Sequence, residues 1–311
     1  MSPVWRTGSL TSFRIDRAVT ADAGAVARVR AALEASLYGQ SALSQADMED
    51  EWLDLDLENA RVVRDGDRVV GFGAVRQEGN LWQAEGCVHP DVLGRGIGRL
   101  IATGLEEHAA GRGARRILTV AFEADSAARG LLESLGYSAV RIFREMRIEL
   151  QAPPPAPHWP DALRVVPFDA ERGALEFHAA YEEAFADHWE HTPREFESWS
   201  KSYVGSERFD PMLWCVVRAG DEIAAGTICT SDTYGGGWVH ALFTRRAWRK
   251  HGVGAALLND SFARFWERGE RSVGLGVDAA NDTGAFRLYE RAGMSPRAGF
   301  VAFEKEIDER E

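Results

Sequence analysis

Two stretches of the chain combine glycine with basic residues at a spacing that suits phosphate binding. One contains Val88, Arg95, Gly96 and Gly98, and the other, residues 249–254 (RKHGVG), has more positive charge. Each follows an apolar run and precedes an amphipathic pattern, so backbone N–H groups at a helix start would face an anion. Glycine suits this position because no Cβ blocks the approach of a ligand. We therefore predict an anion site at the second stretch and a weaker counterpart at the first.

The two stretches belong to a longer internal repeat. A tryptophan precedes the first motif glycine by the same number of residues in each copy, Trp82 before Gly96 and Trp238 before Gly252. Similar strand and helix patterns surround both stretches. A duplicated unit of this kind predicts two domains of one fold.

The two copies differ where chemistry would need polar groups. Leu93 of the first copy occupies the slot of Arg249, and Leu132 occupies that of Tyr289. The first copy thus keeps its glycines and apolar periodicity but lacks a cation and a phenol. We predict a single working active site, in the second copy.

The composition is that of a globular protein with real cores. Of 311 residues, 45% are apolar and 27% charged, and the net charge of −12 argues against general nucleic-acid binding. We find neither an apolar run long enough to span a membrane nor a signal-peptide core. Cys87, Cys215 and Cys229 lie in apolar runs without metal-site spacing. We expect a cytoplasmic protein with reduced thiols, no metal, and no nucleic-acid or membrane partner.

A proline cluster at residues 151–160 divides the chain into similar halves, because proline continues neither a helix nor a sheet. We predict an α/β domain over residues 1–150, this linker, and a second α/β domain over residues 161–311.

Each half shows the pattern of a mixed sheet with flanking helices. Hairpin turns at residues 65–67 and 220–221 require antiparallel strands. The strand–helix–strand order around each glycine stretch allows a parallel crossover. Final strands over residues 140–150 and 299–304 are each expected to close the sheet of their own half.

The glycine stretch at residues 249–254 resembles the acyl-CoA-binding motif R-x-x-G-x-G of the GNAT acyltransferase family. Residues 281–294 resemble its second signature, an Asn-led helix that ends in Leu-Tyr-x-x-x-Gly. The tandem layout is also similar to that of the mycothiol synthase group. The resemblance implies two tandem GNAT-like mixed-sheet domains whose fourth and fifth strands splay apart, with acetyl-CoA in the gap of the C-terminal domain.

The resemblance also implies a set of acetyl-CoA-binding residues in the second copy. They are Leu242, Phe243, Thr244, Arg249, Lys250, His251, Gly252, Val253, Gly254, Ala255, Asn281 and Asp282. The signature is one residue longer than its commonest form, so either Asn281 or Asp282 takes the place of the asparagine. The first copy either binds a second CoA through Val88, Arg95, Gly96 and Gly98 without catalysis, or is purely structural.

Acetyl transfer to an amine requires a stabilised oxyanion, a base for the amine and an acid for the departing thiolate. The resemblance assigns the acid to Tyr289, and backbone N–H groups over residues 242–244 suffice for the oxyanion. Period-two geometry puts Trp238, His240 and Leu242 on one strand face. Many family members have a glutamate where Trp238 stands, so His240, whose imidazole ordinarily titrates near neutral pH, is the alternative base or a structural histidine.

The early helices of the second half are rich in acidic and aromatic residues, where the family builds its acceptor pocket. They are Glu176, His178, Tyr181, Glu182, Glu183, Asp187, His188, Trp189, Glu190 and His191. These residues form either a solvated acidic face or a pocket for an amine.

The expected function is direct transfer of acetyl from acetyl-CoA to a primary amine of a small molecule or peptide, by a monomer or homodimer. The alternatives are acetylation of a cysteinyl sugar, as in mycothiol synthases, and a non-catalytic acyl-CoA sensor.

Overall fold

The computed structural model describes residues 13–280 and 284–307. The chain forms two compact units, one of Met1–Phe143 with Ala298–Glu311 and the other of Arg144–Arg297. Residues 151–160 contain neither helix nor strand. The contacts therefore divide the chain at Phe143, before the proline cluster where the sequence predicts the boundary.

The described residues form strands and helices in an order that repeats. The strands are β1 (Phe13–Arg17), β2 (Ala60–Asp65), β3 (Arg68–Glu78), β4 (Leu81–Val88), β5 (Arg116–Phe122), β6 (Ser138–Glu149), β7 (Arg164–Val166), β8 (Cys215–Ala219), β9 (Glu222–Thr233), β10 (Gly236–Thr244), β11 (Ser272–Asp278) and β12 (Ser295–Glu306). The helices are α1 (Ala23–Tyr38), α2 (Gln45–Glu51), α3 (Ile97–Ala110), α4 (Ser126–Ser134), α5 (Ala174–Phe185), α6 (Phe196–Tyr203), α7 (Val253–Glu267) and α8 (Ala285–Arg291).

The sheet of the first unit has the strand order β1-β2-β3-β4-β5-β12. Its first four strands pair antiparallel, β4 and β5 pair parallel, and β5 pairs antiparallel with β12. The predicted hairpin at residues 65–67 joins β2 to β3, with Gly66 at φ +58°.

The sheet of the second unit repeats this plan with the order β7-β8-β9-β10-β11-β6. Strands β7 to β10 pair antiparallel, and β10 and β11 pair parallel. The predicted hairpin at residues 220–221 joins β8 to β9. The mixed α/β fold predicted for both halves is therefore confirmed.

The final strands do not close the sheets as the sequence analysis expected. The C-terminal strand β12 completes the first unit, where Phe300 pairs with Phe122 and Glu306 with Arg116. The second part of β6 belongs to the second unit, next to β11. The sequence of β6 and β12 does not specify which strand each one pairs with, because these pairings join segments that are distant in sequence.

Helix α7 illustrates how the sequence positions the site. Its apolar residues recur at helical spacing, and Val253, Leu257 and Phe265 are each 1% exposed or less. That buried face lies against β8, β9 and β10, so the N-terminus of α7 stands directly after the end of β10. None of the helices in the described ranges is both long enough and apolar enough to cross a membrane.

Candidate active site

The glycine turn of the second unit joins β10 to α7 through a short 3₁₀ turn at Arg246–Trp248. Lys250 (φ +65°) and Gly252 (φ +80°) are both left-handed, with His251 between them. Alternating backbone conformations of this kind turn successive N–H groups toward one point and create an anion-binding concavity. The α7 dipole, which begins at Val253, adds partial positive charge there.

Close packing requires the second motif glycine. A Cβ on Gly254 would lie 3.1 Å from Leu288 Cδ2, so α8 packs directly on the first turn of α7. Val253 is buried, whereas His251 and Ala255 are exposed beside the turn. The predicted binding residues from 249 to 255 thus form one continuous turn and helix start.

Arg249 braces this turn instead of projecting freely from it. Its Nε donates to the Thr244 carbonyl (3.1 Å), and its Nη2 donates to the Ala184 carbonyl near the end of α5 (2.9 Å). Nη1 lies 3.5 Å from the Asp187 carboxylate. The guanidinium therefore ties the end of β10 to the end of α5 and leaves the backbone N–H groups of the turn as its anion-binding element.

The other arginines of the turn are also paired. Arg245 Nε donates to Glu183 (2.8 Å), and Arg246 Nε donates to Asp187 (2.8 Å). The Arg246 hydrogen bond holds the pKa of Asp187 below its ordinary value. Part of the acidic face predicted as an amine pocket therefore neutralises the basic turn.

Glu182, another acidic group of that face, is a histidine partner. Glu182 accepts a hydrogen bond from His191 Nε2 (2.8 Å) and lies 3.5 Å from His178 Nε2. His178 also contacts the Arg194 carbonyl (2.9 Å). These polar groups therefore satisfy one another.

Strands β10 and β11 diverge beside the turn, as the resemblance implies. Their parallel pairing in the described residues starts at Gly237–Val273 and ends at Val239–Leu275. Beyond Val239, β10 runs on to Thr244 while it pairs with β9 alone. The backbone N–H groups on the other edge of β10 are therefore open to a ligand. They belong to alternate residues within the range 240–244.

A β-bulge occurs at the point of divergence. Val239 pairs with Cys229, and Ala241 pairs with Ile228, the neighbour of Cys229 in β9. His240 is therefore an extra residue in β10 that has no pairing partner in β9. In the first unit β3 and β4 pair without interruption over eight residues, from Gly71–Val88 to Glu78–Leu81. His240 therefore has no counterpart in the first unit.

The bulge changes which residues of the two copies are equivalent. The last parallel pair is Ala84–Thr119 in the first unit and Val239–Leu275 in the second, so Ala84 corresponds to Val239. In the same register, Gln83 corresponds to Trp238 and Trp82 to Gly237. The equal spacing of the two tryptophans is therefore a coincidence, because one inserted residue offsets it.

The bulge also corrects the prediction that Trp238, His240 and Leu242 share one strand face. Leu242 packs against the cluster that includes Val253 and Leu257 of α7. Its neighbour Phe243 packs instead on the α5 side, 5.2 Å from the Phe177 ring. One extra residue reverses the period-two alternation for the rest of the strand.

His240 lies against α6 and β9. Its ring centroid is 5.9 Å from that of Tyr203, and Nε2 lies 2.9 Å from Thr230 Oγ1. Solvent reaches the residue, yet the surrounding protein and then the positive Arg208 lower the pKa of His240 to about 4. The imidazole is neutral at pH 7, which suits a base, but its titration lies well below the neutral range expected from the sequence.

Tyr289 lies in α8, directly after the Leu288 that packs on Gly254. It is 7% exposed, and burial raises the pKa of its phenol to about 12. The phenol thus keeps its proton over the physiological pH range, as an acid requires.

Three further predictions concern the rest of the proposed site. Asn281 and Asp282 lie outside the described residues. Cys215 and Cys229 are buried free thiols, and burial raises their pKa values, to about 12 for Cys229. Burial also raises the pKa of the half-buried Cys87 to about 12, so all three thiols stay protonated at neutral pH.

The turn of the first unit has nearly the same backbone as that of the second. Gly94 (φ +75°) and Gly96 (φ +84°) repeat its two left-handed residues, and a Cβ on Gly98 would lie 3.1 Å from Leu131. Arg95 lies over the Phe13 ring (4.4 Å). Val88 ends β4 directly before the turn.

Sequence reasoning missed the polar groups behind His240. Thr230 and Thr233 of β9 are 8% and 4% exposed, and Arg208 Nη1 donates to Thr233 Oγ1 (3.1 Å). Polar residues within a strand of otherwise apolar pattern were the available signal. Their partner Arg208 is distant in sequence and had no motif to mark it.

Comparisons with known proteins agree with this architecture. Residues 28–137 and 174–294 match the model of the acetyltransferase (GNAT) family. A mycothiol acetyltransferase from Thermobispora bispora is 33% identical over 245 residues, covering 74% of this chain and 78% of that protein.

Solved structures give the same result. A GCN5-related N-acetyltransferase from Sphaerobacter thermophilus superposes with a TM-score of 0.81 at 32% identity, covering 95% of this chain and 96% of that one. A tandem GNAT protein from the clavulanic acid biosynthesis pathway has the same fold, with a TM-score of 0.72 at 17% identity over 96% of this chain and 100% of that one. The family model matches both copies and most of the chain, so this protein belongs to the GNAT family of acetyltransferases and has two GNAT domains in tandem.

Proposed function

We propose that the second unit transfers acetyl from acetyl-CoA to a primary amine of a small molecule or peptide, and that the first unit is structural. The observation that supports this assignment most is the bulge at His240. It adds a neutral imidazole beside the diverging edge of β10, and the first unit has no equivalent residue.

The pyrophosphate of acetyl-CoA would bind the N–H groups of the turn over residues 250–255. Two left-handed residues and the α7 dipole support this assignment. Arg245, Arg246 and Arg249 form ion pairs that hold the turn against the end of α5, so the backbone N–H groups would supply the contacts to the anion. The pantetheine arm would follow the open edge of β10, where peptide N–H groups lack a β11 partner.

The chemistry would be a direct attack. The amine nitrogen adds to the thioester carbon, the oxyanion accepts hydrogen bonds from backbone N–H groups over residues 242–244, and His240 takes the amine proton. The C–S bond then breaks, and Tyr289 protonates the thiolate. A phenol with a pKa of about 12 holds the proton that this last step requires.

A cysteinyl sugar is the second candidate acceptor. It is favoured by the 33% and 29% identity to two proteins named mycothiol acetyltransferase. A panel of amines that includes a cysteinyl aminosugar, with thiol release from acetyl-CoA as the readout, distinguishes this acceptor from other amines. Binding of acetyl-CoA without thiol release from any of them would support a non-catalytic sensor.

Matched valine substitutions in the two turns test which unit works. Gly252→Val and Gly96→Val each force a β-branched residue into a left-handed conformation, at a cost of about 1–2 kcal/mol or more. Both should lower the melting temperature. Only Gly252→Val should weaken acetyl-CoA binding in calorimetry and reduce turnover, by about 10-fold or more. Loss of turnover in Gly96→Val with normal turnover in Gly252→Val would move the active site to the first unit.

A further inference from the structure

A series of hydrogen bonds links His240 to the half-buried Arg208. His240 Nε2 lies 2.9 Å from Thr230 Oγ1, which lies 2.8 Å from Thr233 Oγ1. Thr233 Oγ1 in turn accepts from Arg208 Nη1 (3.1 Å) and donates to the Ser231 carbonyl (3.2 Å). The chain therefore runs from the ring through two hydroxyls to a cation.

The number of available protons determines which group donates each hydrogen bond in this series. A guanidinium only donates hydrogen bonds, and a carbonyl only accepts them. The Thr233 hydroxyl therefore donates its one proton to the Ser231 carbonyl and accepts a hydrogen bond from Arg208. Thr233 must then accept from Thr230 as well, which uses the single proton of Thr230. The remaining contact is satisfied only if His240 Nε2–H donates to Thr230. All four contacts are made together in this arrangement alone.

The surroundings keep the His240 imidazole in its neutral form, so only one of its two ring nitrogens carries a proton. The groups that face the ring are Tyr203 from α6, Arg208 from the segment after α6, and Thr230 from β9. A positive neighbour disfavours a second proton on the ring. A neutral ring whose Nε2 is protonated has its lone pair on Nδ1.

We propose that Thr230, Thr233 and Arg208 are positioning residues that hold His240 in the Nε2–H tautomer, with Nδ1 as the atom that takes the amine proton. The inference rests on the proposed role of His240 as the base. The attack forms an N–C bond to the acetyl carbon, and the proton that leaves the amine nitrogen moves to Nδ1.

The first unit has a different polar arrangement at the equivalent position. The pairing of β3 with β4 puts Arg76 where β9 has Thr230, and Arg76 pairs with Glu85 (3.2 Å). The unit without the inserted histidine thus has an ion pair in place of the hydroxyl chain.

The tautomer can be measured without any acceptor. Long-range ¹H–¹⁵N correlation on ¹⁵N-histidine-labelled protein separates protonated from unprotonated ring nitrogens, and His240→Gln identifies the signals. We expect Nε2 protonated and Nδ1 free in the wild type. Thr230→Val should shift the ring toward a tautomer mixture and lower kcat by about 5–10-fold, the size of one hydrogen bond, with the KM for acetyl-CoA unchanged. Thr230→Ser should restore both.

A matched control comes from the same strand. Thr227→Val removes a buried hydroxyl that accepts from the Cys215 backbone N–H (3.1 Å), so it should lower the melting temperature without changing the tautomer. A wild-type ring protonated on Nδ1, or a Thr230→Val protein with wild-type tautomer and kcat, would overturn the inference. If the tautomer is as expected but His240→Gln keeps full turnover, the proposed base is wrong while the hydrogen-bond chain stands.

Discussion

The glycine turns of the two units have the same backbone but different surroundings. Leu93 (φ −60°, ψ 153°) and Arg249 (φ −66°, ψ 154°) occupy one conformation, although one side chain is 49% exposed and apolar and the other braces α5. The left-handed residues that follow also match. The same turn geometry therefore occurs in two copies whose side chains differ, so an intact turn does not by itself indicate an active site.

The strands beside the turns differ more than the turns do. The second unit has an extra residue in β10 and, across the gap in β11, Gly276 with open space around it. The register of the first unit puts Val120, 49% exposed, at the position of Gly276. The second unit thus clears space and adds an imidazole at the same place, which is the difference that the following predictions test.

Removal of the inserted imidazole should have the largest effect. His240→Gln should reduce kcat by about 10²–10⁴-fold, the usual range for a positioned base, with little change in acetyl-CoA affinity in calorimetry. Because the pKa of His240 is about 4, an inflection of log kcat near neutral pH should belong to the acceptor amine and persist in the variant. A His240→Gln enzyme with wild-type kcat would remove the main functional difference between the two units.

Loss of Arg249 should have the next largest effect. Arg249→Leu imitates Leu93 and removes charge-assisted bonds to the Thr244 and Ala184 carbonyls, each worth about 1.5–3 kcal/mol. We expect weaker acetyl-CoA binding in calorimetry and a lower melting temperature. Arg246→Leu is the control, since it removes one charge from the same turn but breaks only an exposed ion pair, and its effect should be clearly smaller. Equal effects would mean that charge alone matters.

Tyr289→Phe should lower turnover by about 10-fold, equivalent to about 1.4 kcal/mol of transition-state stabilisation. The thiolate is a moderate leaving group, so the reaction slows but continues. Affinity for acetyl-CoA and the melting temperature should stay the same, because the ring is retained. Tyr137→Phe removes a hydroxyl from a buried tyrosine of the first unit and should leave turnover unchanged. Wild-type turnover in Tyr289→Phe, with chemistry rate-limiting, would reduce the phenol to a packing role.

The pH dependence of stability should include one histidine from each unit. Burial lowers the pKa of His108 from 6.5 to about 4, and the protein around the solvent-accessible His240, together with the positive Arg208, lowers the pKa of His240 from 6.5 to about 4. Between these values the unfolded chain takes up protons that the folded protein refuses, so stability is lost as the pH falls from 6.5 toward 4. Urea unfolding at several pH values should show a shallower loss in His108→Gln and in His240→Gln. A wild-type slope in either variant would mean that its imidazole titrates normally.

The smallest effect is expected from restoring the first unit. Leu93→Arg, alone or with Leu132→Tyr, should leave turnover at the wild-type level, because the bulge and its histidine are still missing. A clear rise in rate would show that side chains rather than strand geometry separate the copies.

The sequence predicted the elements near the site better than their pairing. Glycine and polar turn residues marked the hairpins and the start of α7, because those conformations need particular residue types. The bulge at His240 needs no special residue type, so Trp82 and Trp238 suggested a false equivalence. Ion pairs such as Arg246–Asp187 join distant residues and leave no local pattern.

The place of β12 in the sheet of the first unit has a consequence for folding during synthesis. During synthesis the other strands of the first unit leave the ribosome well before β12. Phe122 on β5 therefore lacks its pairing partner, Phe300, until β12 has been made. Until then β5 presents an unpaired edge of the kind that invites pairing with other chains. The N-terminal unit is translated first, yet its sheet is completed last, and a protein truncated before Ser295 would lack one strand of that unit.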